Sequence, residues 1–274
     1  MIYPKQYPTV VIEDFFDNPS AIRDFALSLS YERDVEGKWP GERTPMLHTI
    51  DENLVYALAK KILSIYFDNG THVYWDDIQM SFHKIKPYST DRHSLCNTGW
   101  IHTDELRTFA GVVYLTPNAP TFTGTTLFKP KEKYKAQEEL QELQVGKSFN
   151  FDNYEKEVAQ MHKLVNEQPI QGSQDFKRKL YLGEDFDSEE YDKEITELYN
   201  KFDVVTEVKN VYNRCIQYDA RQWHTGTNYW TNGEDRLSLV YFFTNVRAPF
   251  TPYERQLCHD QEIMNKINRI GEKQ

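Results

Sequence analysis

Two short segments far apart in the chain, Ile101-His102-Thr103-Asp104 and Gln222-Trp223-His224, carry two imidazoles and one carboxylate; Arg236-Leu237-Ser238 follows the second. Two histidines and a carboxylate that leave coordination positions open form the ligand set through which non-haem Fe(II) reaches O2. A downstream arginine offers a bidentate fork, which suits a dicarboxylate cosubstrate. His102 and Asp104 are one residue apart, so on an extended segment both project from the same face and can bite one ion. Arg236 and Ser238 share a face by the same rule, the arginine as fork and the serine as a single donor. Taken singly, each residue has a plainer reading: a satisfied core histidine, a strand-edge ion-pair partner, an ordinary sheet serine. Their joint order favours a metal site, and other divalent ions such as Zn or Ni could also occupy it.

These residues need strands to hold them. Ile78, Met80 and Phe82 alternate with Gln79, Ser81 and His83, the period of a half-buried strand. Phe109 to Thr116, Thr125 to Phe128, Val211 to Tyr218 and Leu237 to Phe243 read as further strands, separated by Pro, Gly and Asn. Short strands spaced in this way predict a mainly β fold with flanking helices, a jelly-roll or barrel core. Upstream, Val10 to Phe16 reads as a strand, and Asn18-Pro19-Ser20 offers a cap for a helix over Ala21 to Ser28. The turn-rich Trp39-Pro40-Gly41-Glu42-Arg43-Thr44-Pro45 excludes helix, and Asp51 to Phe67 returns to helical spacing with Leu54, Leu58, Ile62 and Ile65 on one stripe.

One domain over 1–274 is expected: an N-terminal strand and helices over 1–70, a β core over 72–130 and 208–247, and a closing helix over 253–270. Residues 131–207 read as a helical, acidic insertion, with helix-like spacing at Glu138 to Leu143, Tyr154 to Val165 and Ser188 to Phe202. Its acidity is first of all a solvated face, although insertions beside a pocket often carry specificity.

The chain has 32 Lys+Arg against 42 Asp+Glu, a net charge of −10, which disfavours nucleic acid as a partner. Phe176-Lys177-Arg178-Lys179 is the longest basic run and is too short to reverse that. No stretch approaches a membrane span, and no secretory signal is visible at Met1 to Val10. Cys96, Cys215 and Cys258 lack Cys-x-x-Cys spacing and fit reduced thiols, so a cytoplasmic location is expected.

The order His-x-Asp, Tyr114-Leu115-Thr116, the Gly124-Thr125 step, His224 and Arg236-x-Ser238 resembles the double-stranded β-helix Fe(II)/2-oxoglutarate oxygenases of the prolyl 4-hydroxylase-like branch. Val11-Ile12-Glu13-Asp14-Phe15-Phe16 and the Trp39 to Pro45 segment also resemble a family of uncharacterised bacterial and phage proteins of this class. The resemblance spans the flanks and both strand groups but not the insertion. It implies His102, Asp104 and His224 as iron ligands, Arg236 as partner of the distal 2-oxoglutarate carboxylate, and Tyr114 as a further donor to that carboxylate beside Ser238. Fe(II), 2-oxoglutarate and O2 are the implied cofactors, with ascorbate as an optional addition. Hydroxylation of a C–H bond on a peptidyl or free amino-acid side chain is implied, with succinate and CO2 as coproducts. A non-catalytic jelly-roll protein that binds a metal or a small acid stays open beside it. Arg43, Gln79, Ser81 and His83 are candidates for the pocket wall, with loop and barrel structure as the plainer reading; Arg107 and His93 flank the first metal segment.

Overall fold

The computed structural model describes residues 7–68, 70–104, 107–132, 175–249, 252 and 265. Two antiparallel sheets lie face to face. The larger has the order β1-β8-β5-β10-β4-β3-β2, from β1 (Val10–Ile12), β2 (Glu32–Arg33), β3 (Glu42–Arg43), β4 (Asp77–Ile85), β5 (Phe109–Tyr114), β8 (Cys215–Asp219) and β10 (Arg236–Thr244). The smaller has the order β7-β6-β9, from β6 (Thr125–Pro130), β7 (Phe202–Val208) and β9 (Trp223–Gly226). This is the expected mainly β, jelly-roll type core of a double-stranded β-helix, with helices outside both sheets.

Strand β10 shows how the sequence writes both sides of the large sheet. Leu237, Leu239, Tyr241 and Phe243 join Met80 and Phe82 in a buried cluster under α1 (Pro19–Ser28) and α2 (Glu52–Leu63). Phe109 sits at its centre, 4.7 Å from the Phe243 ring and 5.2 Å from that of Tyr66. The alternate residues of β10 face the small sheet, where Val240 packs with Val112, Ile216 and Leu127. Period two thus separates an apolar, helix-covered face from the face that holds the polar groups. Both helices begin with a side-chain cap: Asn18 accepts from the Ala21 amide at 3.1 Å and Asp51 from that of Leu54 at 2.9 Å.

The small sheet is covered on its far side by α3 (Asp175–Leu182) and α4 (Ser188–Tyr199). Leu180, Tyr181, Tyr191, Ile195 and Leu198 pack there with Phe128 and Trp223. Trp223, beside a candidate ligand, is therefore a packing residue.

Several boundaries differ from expectation for identifiable reasons. The first strand stops at Ile12 rather than Phe16, because Asp14 turns to a φ of 49° and Asn213 then captures the chain. The Phe15 amide donates to the Asn213 carbonyl and the Phe16 amide to Asn213 Oδ1, at 2.9 and 2.8 Å. Asn213 itself lies at φ 65°, so pairing expected from Val211 begins only at Cys215. The expected insertion of 131–207 is not helical to its end: β7 pairs along β6, which makes its last residues part of the core. The β-branched run Val204-Val205-Thr206 outweighs the acidic composition around it. The helix expected over Ser188 to Phe202 ends at Tyr199. The helical readings at Glu138 to Leu143 and Tyr154 to Val165 lie outside the described residues, as does the closing helix over 253–270 apart from Asn265. No helix among the described residues is long and apolar enough to cross a membrane, and Cys96 and Cys215 are free thiols.

Candidate metal centre and cavity

An extended segment carrying His102 and Asp104 lies antiparallel to the start of β9. The His102 amide donates to the His224 carbonyl at 3.0 Å and the His224 amide to the His102 carbonyl at 2.9 Å. The Asp104 amide donates to the Ala220 carbonyl at 2.8 Å. This pairing aligns three side chains from distant parts of the chain: the rings of His102 and His224 are 4.5 Å apart, and one ligand atom each from His102, Asp104 and His224 falls within 4.8 Å of the others.

Each imidazole is oriented by a backbone carbonyl. His102 Nδ1 lies 2.8 Å from the Trp100 carbonyl, and His224 Nδ1 lies 2.8 Å from that of Gln222. A carbonyl only accepts, so both protons belong on Nδ1 and both Nε2 lone pairs point inward. There they meet Asp104, at 3.7 Å from His102 Nε2 to Oδ1 and 3.2 Å from His224 Nε2 to Oδ2. With both rings neutral, no proton remains on either Nε2, and among the described residues Asp104 Oδ2 is buried without a hydrogen-bond donor. Lone pairs facing a carboxylate are mutually repulsive unless a cation lies between them, so the donor set fits a divalent metal. Burial, followed by the neighbouring His224, pulls the His102 imidazole down to about 4. Burial works to raise the Asp104 carboxyl, but His224, His102 and Arg43 outweigh it and hold it below its ordinary value. The ring of Tyr218 packs 4.5 Å from that of His224 and fixes it from the sheet side.

The triad opens onto a cavity of about 1060 Å³ between the two sheets. Arg236 lines it from β10 and is only 5% exposed. Its Nε donates to the Thr123 carbonyl at 3.0 Å, and its guanidinium lies over the rings of Tyr114 and Tyr229, 5.6 and 5.9 Å from their centroids. The terminal nitrogens of the fork are thereby aimed rather than consumed. Ser238 and Tyr114 face each other across β10 and β5 on the same side as Arg236, but both are sealed beneath the wall. The Tyr114 hydroxyl donates to Thr125 Oγ1 at 2.7 Å, and Thr125 is the group that reaches the cavity. Burial pushes the Tyr114 phenol up to about 12, so it stays protonated. Ser238 Oγ has no hydrogen-bond partner among the described residues.

Gln79 and His83 line the cavity from β4, and Arg43 lines it from β3, so the polar face of that strand belongs to the site. Ser81 is buried in the same row without lining it. Arg107 also lines it and is held by Gln79 Oε1 and Thr244 Oγ1, both at 2.9 Å. His93 is exposed and bonds Arg92 instead. Sequence reasoning missed Trp39, Thr125, Lys177, Tyr218 and Tyr229 as wall residues. The lysine lay in the basic run of α3 and the tryptophan in the Pro/Gly loop, but neither position carries a periodic signal that aims it inward.

No curated protein matches the chain. Solved structures of similar fold include a prolyl-4-hydroxylase of Pseudomonas putida, 11% identical, covering 87% of this chain and 92% of that one at a TM-score of 0.40. HygX from Streptomyces hygroscopicus, solved with nickel and 2-oxoglutarate bound, is 11% identical over 89% of this chain and 84% of that one, at 0.43. A prolyl hydroxylase from Trichoplax adhaerens, in complex with a hypoxia inducible factor oxygen degradation domain peptide fragment, is 10% identical over 86% and 83%, at 0.42. The profile of DUF6445, described as a family of unknown function, matches residues 1–178. That is more than half of the sequence, and the chain belongs to the DUF6445 family.

Proposed function

We propose that this chain is an Fe(II)- and 2-oxoglutarate-dependent dioxygenase that hydroxylates a C–H bond of a peptidyl or free amino-acid side chain and releases succinate and CO2. The observation that carries this reading is the convergence of His102 Nε2 and His224 Nε2 on the two oxygens of the Asp104 carboxylate, in a cavity that also holds the buried fork of Arg236.

His102, Asp104 and His224 would hold the metal and leave the remaining positions free. Bound iron with 2-oxoglutarate and O2 supplies the oxidising power, while the protein supplies orientation and shielding. Arg236 presents two parallel N–H groups to the distal carboxylate of 2-oxoglutarate, and the Tyr114 and Tyr229 rings keep the fork in plane. Thr125, held by the Tyr114 hydroxyl, is the second donor. Tyr218 and Val240 give the wall an apolar lining that keeps bulk water from the reacting centre.

The test is succinate release from 2-oxoglutarate in the presence of Fe(II) and O2, with His102→Ala as blank. Anaerobic addition of 2-oxoglutarate to the Fe(II) protein should also give a weak visible charge-transfer band. Stoichiometric Fe(II) uptake with neither the band nor succinate would sink the oxygenase reading in favour of a metal-binding protein without turnover.

A further inference from the structure

The cavity holds more positive charge than its own residues and the proposed cofactors neutralise. Most cations on its wall are already matched: Lys38 pairs with Glu36, Arg178 with Asp175 and Glu184, and Arg107 with Gln79, Thr244 and, at 3.9 Å, Asp77. Arg43 and Lys177 are different. Among the described residues neither has a hydrogen-bond acceptor or an ion-pair partner, and both line the cavity. Arg43 lies 4.5 Å over the Trp39 ring, which fixes the plane of its guanidinium, while its Nε and the Trp39 indole N–H are both buried without acceptors. Burial pulls the Arg43 guanidinium down to about 10, against the opposing pull of Asp104 and Asp34, and the Lys177 ammonium down to about 8.

A divalent metal, Asp104, Arg236 and dianionic 2-oxoglutarate together sum to zero charge. Arg43 and Lys177 are then left over. Both stand near the proposed metal, since Arg43 acts electrostatically on Asp104 and Lys177 on His102. His83 lies between the two arginines, and burial beside Arg43 and Arg236 holds its imidazole neutral. Its Nε2 bonds the Pro40 carbonyl and so ties down the loop that carries Trp39. Gly41 makes that loop possible: it sits at φ +70°, and an added Cβ would meet the Lys84 carbonyl at 2.4 Å. The protein therefore keeps two separate guanidinium positions, one at Arg236 and one at Arg43.

We infer that Arg43 and Lys177, with Trp39 behind the guanidinium, form an oxyanion subsite for the primary substrate, which is an anionic molecule carrying a carboxylate or phosphate next to the carbon that reacts. This inference rests on the oxygenase reading and narrows it, from any amino-acid side chain to a substrate with a free acid group within reach of the metal. A free amino acid, a C-terminal residue or a phosphorylated small molecule meets that requirement, whereas a neutral side chain inside a peptide does not.

The test uses calorimetry on the full chain loaded with Ni(II) and saturated with 2-oxoglutarate, so that the Arg236 end is filled and no turnover occurs. The probes are N-acetylglycine, methyl phosphate and, as neutral control, N-acetylglycinamide. At least one of the anions should bind the wild type, and the neutral amide should not. Affinity should fall at least about tenfold in Arg43→Met and in Lys177→Met, while 2-oxoglutarate binds both variants within about twofold of wild type. The better of the two anions identifies the acid group. Lys177→Met, on the outer helix α3 rather than in the sheet, carries the test if Arg43→Met does not fold. Equal anion binding by wild type and variants, or none by the wild type, overturns the inference. Loss of 2-oxoglutarate in Arg43→Met also overturns it, because Arg43 then serves the cosubstrate. Anion binding that survives in a wild type unable to bind 2-oxoglutarate would leave the subsite standing and sink the oxygenase reading instead.

Discussion

The two ends of the cavity are built by different means. At the Arg236 end every group stands on a strand or on a segment paired to one: β10 supplies Arg236 and Ser238, β5 Tyr114, β6 Thr125, and the His102–His224 bridge the imidazoles. At the Arg43 end the groups come from a two-residue strand, a Pro/Gly loop and a helix outside the small sheet. Regular pairing fixes the first end to a geometry that could hold a metal, and under the proposed oxygenase function it would suit a part that is the same for every turnover. The second end hangs from pieces that can vary without disturbing the sheets, which suits recognition of a particular substrate.

The largest effect should follow from breaking the strand-built end at its ligands. His224→Ala removes one of three donors from a buried position and should weaken Fe(II) or Zn(II) binding by more than about 100-fold, since even partners behind ligands cost about 10 to 100-fold. Metal titration monitored by calorimetry checks this. Retained stoichiometric uptake would mean that the ion sits elsewhere and that the comparison of ends is misplaced.

Arg236→Met should come next. It removes a buried charge-assisted pair worth about 1.5–3 kcal/mol, or about 10 to 150-fold in 2-oxoglutarate affinity, and should leave metal uptake unchanged. If Arg236→Met binds 2-oxoglutarate normally, the cosubstrate does not use the sheet end.

A third substitution probes why that end is rigid. Gly111 lets β5 approach its neighbours: a Cβ there would meet Tyr241 Oη at 2.2 Å and the Ile216 carbonyl at 2.8 Å. Gly111→Ala should cost about 1–3 kcal/mol by denaturant unfolding, the usual range for forcing an extra carbon into packed space. Unchanged stability would show that the sheet gives way easily, and the contrast between a fixed and an adaptable end would weaken.

The contrast also explains what the sequence made legible. His102-x-Asp104 and Arg236-x-Ser238 were readable because period two aims alternate residues of an extended segment at one face. The same rule placed Gln79 and His83 on the polar side of β4, although the side alone did not tell a cavity from water. Tyr114 was readable as a strand residue, but its hydroxyl is taken by Thr125, a bond between two strands that no local spacing encodes. Strand β7 was hidden because its partner pairing with β6 is tertiary, while its local composition is charged. Trp39 and Lys177 were hidden for a stronger reason: a loop and a helix surface aim side chains by how they dock, and docking is absent from a single sequence.

The smallest effect concerns the charge left over at the adaptable end. Burial draws the Lys177 ammonium from an ordinary 10.5 down to about 8 in the folded protein, so between about pH 8 and 10.5 the unfolded chain binds more protons than the folded one. Stability therefore carries a penalty from Lys177 below about pH 8, and that penalty is relieved as the pH rises through this window. Lys177→Met lacks the penalty at every pH. The difference in Tm between the variant and the wild type should thus favour the variant at pH 7 and shrink toward pH 10. An oxyanion seated between Lys177 and Arg43 stabilises the charged form and raises the ammonium again, so saturating N-acetylglycine or methyl phosphate should flatten the dependence in the wild type alone. A Tm difference that ignores both pH and anion would mean that Lys177 is hydrated, and the two ends of the cavity would then differ in architecture but not in charge.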